Sequence, residues 1–256
     1  MAFELVIMEK TKIAGISLFI ALLGLAREVT AQYNDSTFYF INYTTTGLVN
    51  RTNQGSSYTL NNSLRTGIDK KNISFYNANT WIYGKQFNVL SNNDFSSATD
   101  FNVQAFFPHF YYWGLGTFDK SYSLKINHRF QTGAGIGYHL LTTKVLVINI
   151  SDGILYEKGN LAIADLLGRT EYETFRNSFR LKFRLSFHEK VVLEGNNFWQ
   201  PSLSYKEDYI IKSSTTLSVR LQKWLSFSSS LIYNQFNLSG RENLLLNFGL
   251  TFEKYF

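Results

Sequence analysis

The sequence predicts an all-β fold, an antiparallel transmembrane β-barrel of about twelve strands that follows a cleaved leader. An apolar run near the N-terminus predicts the leader, and strict alternation of apolar and polar residues predicts the strands. The alternating segments hold about ten or more residues, the length that a tilted strand needs to cross an outer membrane. Aromatic residues make up 17% of the chain and charged residues only 17%, a composition that favours strands.

The N-terminal segment has the layout of a secretory signal peptide. Lys10 and Lys12 precede an apolar run over residues 13–26, and Ala31 follows at a position that suits a signal peptidase. The run is shorter than the roughly 20 residues of a membrane-spanning helix. We predict cleavage after Ala31, which leaves residues 32–256 as one barrel domain in the cell outer membrane, whether translation starts at Met1 or at Met8.

The alternation is clearest between residues 178 and 187. Apolar side chains occupy the odd positions there, whereas serine, arginine and lysine occupy the even positions. Similar segments recur along the chain, and we read residues 122–130 in the same way, with Tyr122, Leu124 and Ile126 on the lipid face. Strands are predicted near residues 38–50, 57–68, 73–83, 96–107, 110–117, 121–141, 144–157, 174–187, 191–204, 209–222, 225–237 and 243–256.

The connections between these strands fit the alternation of short periplasmic turns and longer external loops in such barrels. Tight turns are predicted at residues 69–72, 142–143, 188–190 and 222–224, all on the periplasmic side. The longest interruption, residues 159–172, falls outside, and its segment 161–167 permits either a helix or a strand extension. Aromatic girdles at the membrane interfaces would include the tryptophans Trp81, Trp113, Trp199 and Trp224.

The polar face of the predicted strands carries many basic side chains. The lumen candidates are Arg65, Lys125, Arg129, Arg180, Lys182, Arg184 and Arg220. If these groups are hydrated, the lumen selects small anionic solutes, as basic rings do in pores. If they pair with carboxylates such as Asp100 and Glu194, the interior is closed, and both alternatives stay open.

Three glycines, Gly133, Gly135 and Gly137, form a Gly-x-Gly-x-Gly string that superficially resembles a phosphate-binding loop. Neither a lysine–threonine pair nor a helix pattern follows it, so nucleotide binding is not expected. Because the three glycines share one face of a strand, we expect them to allow curvature or to give space to bulky neighbours in the lumen.

The final segment alternates up to the aromatic Phe256. Its apolar face includes Phe248, Leu250, Phe252 and Phe256, which resembles the signal that the outer-membrane barrel assembly machinery recognises. Lys254 departs from that pattern, although a long lysine stem near the rim can snorkel to water.

The sequence also resembles a family of salt-induced outer-membrane proteins, a domain of unknown function in Gram-negative bacteria. The resemblance rests on residues 133–141 (GAGIGYHLL), on residues 201–234 and on the run to Phe256. It implies a barrel fold and an outer-membrane location. It implies no reaction and no binding residues. The leading hypothesis is an integral outer-membrane barrel with an envelope structural or stress-related role, which passes small anionic solutes if its lumen is hydrated.

Other functional classes are poorly supported by the sequence. Without cysteine the chain offers neither disulfides nor thiolate chemistry, and its four histidines lack the spacing of a metal site or a catalytic group. We therefore predict no enzyme, no catalytic residue, no cofactor and no metal. The net charge of +6 suits contact with membrane lipids and lipopolysaccharide, and the compartment disfavours nucleic acid. The alternatives are a lipid-modifying membrane enzyme and a soluble exported barrel with an apolar interior.

Overall fold

The computed structural model describes residues 39–53, 55–70, 72–188 and 190–256. The predicted leader and the first residues after Ala31 lie outside the described residues. In the part of the chain that is described, no helix is long and apolar enough to cross a membrane.

The described residues form one antiparallel sheet. Its strands are β1 (Tyr39–Thr52), β2 (Gly55–Lys70), β3 (Ile73–Gln86), β4 (Val89–Gln104), β5 (Phe110–Ser121), β6 (Ile126–Thr142), β7 (Leu146–Leu161), β8 (Glu171–Asn177), β9 (Phe179–Phe187), β10 (Val191–Pro201), β11 (Tyr209–Gln222), β12 (Leu225–Phe236) and β13 (Arg241–Tyr255). Strands β8 and β9 both pair with β7 and are separated only by Ser178, so they form one interrupted barrel strand. The predicted fold, an antiparallel barrel of twelve strands, is confirmed.

The sheet closes because β1 pairs with β13, from Phe40 opposite Tyr255 to Gly47 opposite Phe248. Strands β6 and β7 also pair, so each strand of the ring has a neighbour on both sides. Closure satisfies the backbone hydrogen-bonding groups within the protein, which is the condition for crossing a lipid bilayer with strands.

We call the end of the barrel where β1 begins and β13 ends the proximal end, and the opposite end the distal end. All four predicted tight turns lie at the proximal end. The distal connection between β3 and β4 consists of Phe87 and Asn88, whose φ angles of 49° and 66° are typical of a tight hairpin turn. This turn was not apparent in the sequence, and β4 begins at Val89 instead of near residue 96.

Large apolar side chains cover the outside of the barrel. Exposed examples from six strands are Ile41, Leu64, Phe118, Phe130, Phe175 and Leu246. The inside holds serine, threonine, asparagine and charged side chains. This polarity suits a barrel surrounded by lipid and is the reverse of a soluble barrel with an apolar ligand site.

The predicted lipid-facing position of Leu124 and Ile126 is wrong. Strand β5 continues to Ser121, and residues 122–125 form the turn to β6, in which Lys125 has a φ of 58°. An irregularity in the β6–β7 pairing follows between Ile126 and His128 and changes which residues face inward. Leu124 and Ile126 are 7% and 3% exposed and belong to a buried cluster with Leu161, Ile210 and Phe236.

Three of the tryptophans lie at the outer surface as predicted, since Trp81, Trp199 and Trp224 are 48%, 52% and 55% exposed. The prediction for Trp113 is wrong, because this residue is 4% exposed inside the barrel. It belongs to a cluster with Tyr111, Leu115 and Leu155.

The glycines of β6 make room for this cluster. A Cβ on Gly135 would lie 2.6 Å from Trp113 Cζ2 and closer still to the Asp152 carbonyl oxygen. One on Gly133 would lie 2.7 Å from Leu155 Cδ2 and closer still to the Ile154 carbonyl oxygen. The ring of Tyr111 covers Gly137 in the same way. The glycines therefore have the predicted structural role of giving space to bulky neighbours in the lumen.

Candidate functional site: the barrel lumen

The barrel encloses a cavity of about 900 Å³. The chemical character of the side chains that line this cavity differs between strands. Hydroxyl and amide groups line it on β1 and on β11 to β13, including Thr44, Ser218, Ser230 and Thr251. Charged side chains project into it from β2, β4, β5, β6, β9 and β10, and from Lys212 of β11. Six inward-facing basic side chains form three clusters, each centred on one carboxylate.

The first cluster joins β4 to β9. Asp100 Oδ1 lies 2.7 Å from Arg180 Nη1, and its Oδ2 lies 3.5 Å from Lys182 Nζ. The Arg180 side chain is 3% exposed, and its Nε donates to Ser151 Oγ at 3.2 Å. Its guanidinium also lies 5.4 Å from the Trp113 ring, which adds a cation–π contact.

The second cluster is centred on Asp119 of β5. Arg129 of β6 donates to Asp119 through both Nε and Nη2, and Lys212 Nζ of β11 lies 3.1 Å from the same carboxylate. Ser96 Oγ donates to the other carboxylate oxygen at 2.6 Å. Arg129 is nearly completely buried and lies 4.4 Å above the Phe236 ring.

The third cluster is more hydrated. Glu194 of β10 pairs with Arg65 of β2 at 3.1 Å and with Arg184 of β9 at 3.6 Å. The side chains of Arg65, Arg184 and Glu194 are 50%, 39% and 35% exposed.

Each of the three carboxylates is therefore shared by two cations. One carboxylate can balance the charge of only one cation, and the three clusters together hold six basic and three acidic side chains. The carboxylate of Asp94, which lines the same cavity, and that of Glu157, which interacts with Arg129, offset part of this excess. Unit charges 4 Å apart attract by about 1 kcal/mol in bulk water and by about 4 kcal/mol at an effective dielectric constant near 20, so unbalanced positive charge in the lumen favours anions over cations. The sequence left open a hydrated cationic lumen and an interior closed by ion pairs. The structure has features of both, because the basic groups are paired with carboxylates and cations still outnumber carboxylates in the three clusters.

The lumen candidates occupy different places. Arg65, Arg129, Lys182 and Arg184 line the cavity. Arg180 points inward but is buried against Asp100, as described above.

The other two candidates do not line the cavity. Lys125 lies in the β5–β6 turn, with its ammonium 4.0 Å from the centre of the Tyr122 ring, so its predicted lumen position is wrong. The reason is the turn itself, which replaces the strand expected there. Arg220 lies near the proximal end of β11, where its backbone N–H donates to the carbonyl of Lys190 at 2.7 Å.

Sequence reasoning missed Lys212 and Asp119. Lys212 shares the inward face of β11 with Ser214, Thr216 and Ser218, so the alternation near residue 216 could have been followed back to it. Asp119 lies beyond the predicted end of β5, and placing that strand end correctly would have identified it.

The distal part of the lumen is filled by a buried ionic network. Glu157 is 0% exposed and accepts from Arg176 Nε at 2.9 Å and from the Tyr172 hydroxyl at 2.7 Å. Arg176 Nη2 also pairs with Asp208 at 2.9 Å, and Gln131 donates to Glu157.

The loop of residues 162–170 covers this network. The backbone N–H of Ala162 donates to the carbonyl of Lys125 at 2.8 Å, and that of Leu166 donates to the carbonyl of Leu238 at 3.0 Å. Inside the loop, Asp165 accepts from the backbone and the guanidinium of Arg169. Strand β7 ends at Leu161, and the structure shows neither the helix nor the longer strand extension considered for residues 161–167. The loop thus narrows the distal mouth.

The predicted assembly-signal residues lie on the outer face of β13 and just beyond it. Phe248, Leu250 and Phe252 are 44%, 37% and 37% exposed, and Phe256 is 51% exposed. Lys254 Nζ lies 4.8 Å from the centre of the Phe256 ring. Among the described residues, no group of three or more His, Cys, Asp or Glu side chains could hold a metal ion.

A closed antiparallel barrel with an apolar exterior and a charged, polar lumen defines the class of outer-membrane-type β-barrels. The chain belongs to the family described as protein of unknown function DUF481, whose profile matches residues 47–252. A search of curated proteins found no match.

Among solved structures, the NanC porin has a TM-score of 0.52 at 10% identity, over 82% of this chain and 98% of that chain. The translocator domain of the autotransporter NalP from Neisseria meningitidis has a TM-score of 0.48 at 12% identity, over 95% and 97% of the two chains. The COG4313 outer membrane channel from Pseudomonas putida F1 has a TM-score of 0.46 at 9% identity, over 90% and 100%. The similarity to NanC is a similarity of fold.

Proposed function

We propose that this protein is an integral outer-membrane barrel that passes small anionic solutes, with its proximal end facing the periplasm. The observation that carries the proposal is the excess of cations in the lumen, where Asp100, Asp119 and Glu194 are each shared by two basic side chains. Basic side chains around a water-filled passage favour anions.

The outer surface supports a location in lipid. Exposed apolar or aromatic side chains occur on every strand of the ring except β11, and exposed aromatic residues such as Trp81 and Trp199 suit the membrane interfaces. Membrane lipids and lipopolysaccharide would surround the barrel, and the outer face of β13 would be read by the barrel assembly machinery. NanC, whose fold the chain shares, is a porin, and we extend that role to this chain.

The lumen sets the size of the solute. The cavity of about 900 Å³ admits small molecules, and the distal network with the loop 162–170 limits passage at the other end. We assign the protein a non-catalytic role in the envelope. The resemblance to salt-induced outer-membrane proteins extends this role to conditions of salt stress.

Ion selectivity in planar bilayers tests the pore. Under a KCl gradient the wild-type protein is expected to give a reversal potential of anion-preferring sign. Lys182→Gln combined with Arg184→Gln should weaken that preference, and Asp100→Asn should strengthen it. Lys158→Gln is the matched control, because Lys158 lies on the outer face with a 63% exposed side chain. A current that prefers cations, or a selectivity that none of the lumen variants changes, contradicts the proposal.

A closed, purely structural barrel is the second candidate function, favoured by the complete burial of Glu157 and the nearly complete burial of its partners Arg176 and Gln131. The bilayer experiment separates the two functions. Absence of current from both the wild type and a variant with a weakened distal loop, Arg169→Ala, would assign the structural role. Release of the protein by a carbonate wash would contradict both functions, since each requires an integral barrel.

A further inference from the structure

The connection between β4 and β5 differs from the other proximal connections. It comprises residues 105–109, with the sequence AFFPH, and it contains two phenylalanines and no lysine, arginine or carboxylate. Each of the other proximal connections contains a lysine, namely Lys71, Lys144, Lys190 and Lys223. One of these connections therefore carries no charged side chain, whereas each of the others has a lysine in its sequence.

The two phenylalanine side chains are exposed to an unusual degree. Phe106 is 96% exposed and Phe107 is 65% exposed, and their rings meet edge to face with centroids 5.9 Å apart. Single exposed apolar residues are common on protein surfaces, but two adjacent exposed rings in one turn call for a physical reason.

The turn that carries these rings is well defined by backbone hydrogen bonds. Ala105 N–H donates to the Phe110 carbonyl at 2.9 Å, and Phe110 N–H donates to the Phe107 carbonyl at 3.3 Å. His109 adopts a φ of 66°, and its carbonyl accepts from His139 N–H at 2.8 Å. The backbone thus holds both rings at the rim without burying them.

The β4–β5 connection continues the outer surface of the barrel. Phe110 and Tyr112, on the outer face of β5, are 40% and 52% exposed. The Phe110 ring lies 4.8 Å from that of Tyr138 on β6, and Leu140 on β6 is 56% exposed. An unbroken apolar path therefore leads from the strands that face lipid to Phe106 and Phe107.

We propose that Phe106 and Phe107 insert into the headgroup–acyl boundary of the adjacent phospholipid leaflet and anchor the proximal rim there. Aromatic rings favour this boundary, and the lysines of the other turns suit contact with water and lipid phosphates. The continuity with the lipid-facing surface favours a bilayer over a protein partner. The anchor does not depend on whether the lumen conducts ions.

Single-cysteine spin labelling tests the anchor cleanly, because the native chain contains no cysteine. Phe106→Cys and Phe107→Cys would be labelled and reconstituted in vesicles of phosphatidylethanolamine and phosphatidylglycerol. Collision rates with oxygen, which concentrates in lipid, and with a water-soluble nickel chelate would then be measured. Lys144→Cys, in a basic turn of the same rim, is the aqueous control, and Ile136→Cys, on the outer face with 52% exposure, is the lipid control.

The labels at positions 106 and 107 are expected to show oxygen-to-nickel collision ratios well above that of Lys144→Cys and approaching that of Ile136→Cys. Ratios equal to the aqueous control would overturn the proposal. Protection from both reagents would also overturn it, because it would indicate that a second copy or another protein covers the rings. Both variants are expected to fold because the replaced side chains lie at the surface, and heat-modifiable gel migration verifies that they do.

Discussion

The distal and proximal parts of the lumen use the same kind of ion pair in opposite surroundings. At the distal part, Arg176 and Glu157 are 2% and 0% exposed in their side chains. Toward the proximal part, Arg184 and Glu194 are 39% and 35% exposed. The first pair is sealed beneath a loop, and the second faces the cavity. The buried pair of Arg176 and Glu157 can therefore act only on the structure, whereas the exposed pair of Arg184 and Glu194 can also contact a solute.

The exposure of the basic side chains increases along the single interrupted strand formed by β8 and β9. Along β8 and β9 the side chains of Arg176, Arg180, Lys182 and Arg184 are 2%, 3%, 31% and 39% exposed. Removing one partner of a buried pair is costly, whereas a hydrated pair contributes little to stability. The distal part should therefore dominate stability, and the proximal part should dominate selectivity.

The largest expected effect is on the distal pair. Glu157→Gln leaves Arg176 buried without its main partner and should lower the free energy of unfolding by about 3 kcal/mol or more. Glu194→Gln is the matched control, and it should cost less than about 1 kcal/mol because its partners are hydrated. Urea unfolding from lipid vesicles, followed by tryptophan fluorescence, measures both values. Equal losses would remove the distinction between the two parts.

A smaller loss of stability is expected from substituting a glycine that packs against Trp113. This residue lies between the distal and proximal parts of the lumen, and the guanidinium of Arg180 lies over its ring. A Cβ on Gly135 would lie closest to the Asp152 carbonyl oxygen, and 2.6 Å from both Trp113 Cζ2 and the Gly153 Cα. Gly135→Ala should therefore cost about 1–3 kcal/mol through overpacking.

Gly114→Ala is the control, because a Cβ there meets nothing within 4 Å. The same unfolding assay should find it neutral or slightly stabilising, since alanine loses less backbone entropy than glycine on folding. If Gly135→Ala and Gly114→Ala lower the free energy of unfolding equally, close packing around Gly135 does not explain the cost of its substitution.

The smallest expected effect is on the distal loop. Arg169 lies 2.8 Å from Asp165, and its side chain is 22% exposed. Arg169→Ala should loosen the loop and raise single-channel conductance roughly twofold by widening the distal constriction, with little change in ion selectivity. Lys158→Ala on the outer face should leave conductance unchanged. A wild-type conductance in Arg169→Ala would show that the constriction lies elsewhere.

Much of the fold could be predicted from the sequence because alternation reports directly which side of a strand faces lipid. It also indicated Asp100 and Glu194 as partners for the basic residues, and both form the expected pairs. Lys125 was misplaced because a tight turn and an irregular pairing interrupt the alternation there.

Side-chain contacts across the lumen could not be predicted from the sequence. Lys212 contacts Asp119 only because closure of the barrel places β11 opposite β5. The stagger between neighbouring strands determines which residues face each other across the lumen. Trp113 was misplaced for a related reason. Its preference for a membrane interface was outweighed by the space that the glycines of β6 and β7 leave for its ring.

The ion pairs that cross the lumen have a kinetic consequence. The pairs between Arg180 and Asp100, Lys212 and Asp119, and Arg65 and Glu194 join residues separated by 80, 93 and 129 positions in sequence. Such pairs can form only when the ring of strands has nearly closed. Interactions absent from the folding transition state chiefly slow unfolding. These pairs should therefore extend the lifetime of the assembled barrel without hastening its assembly.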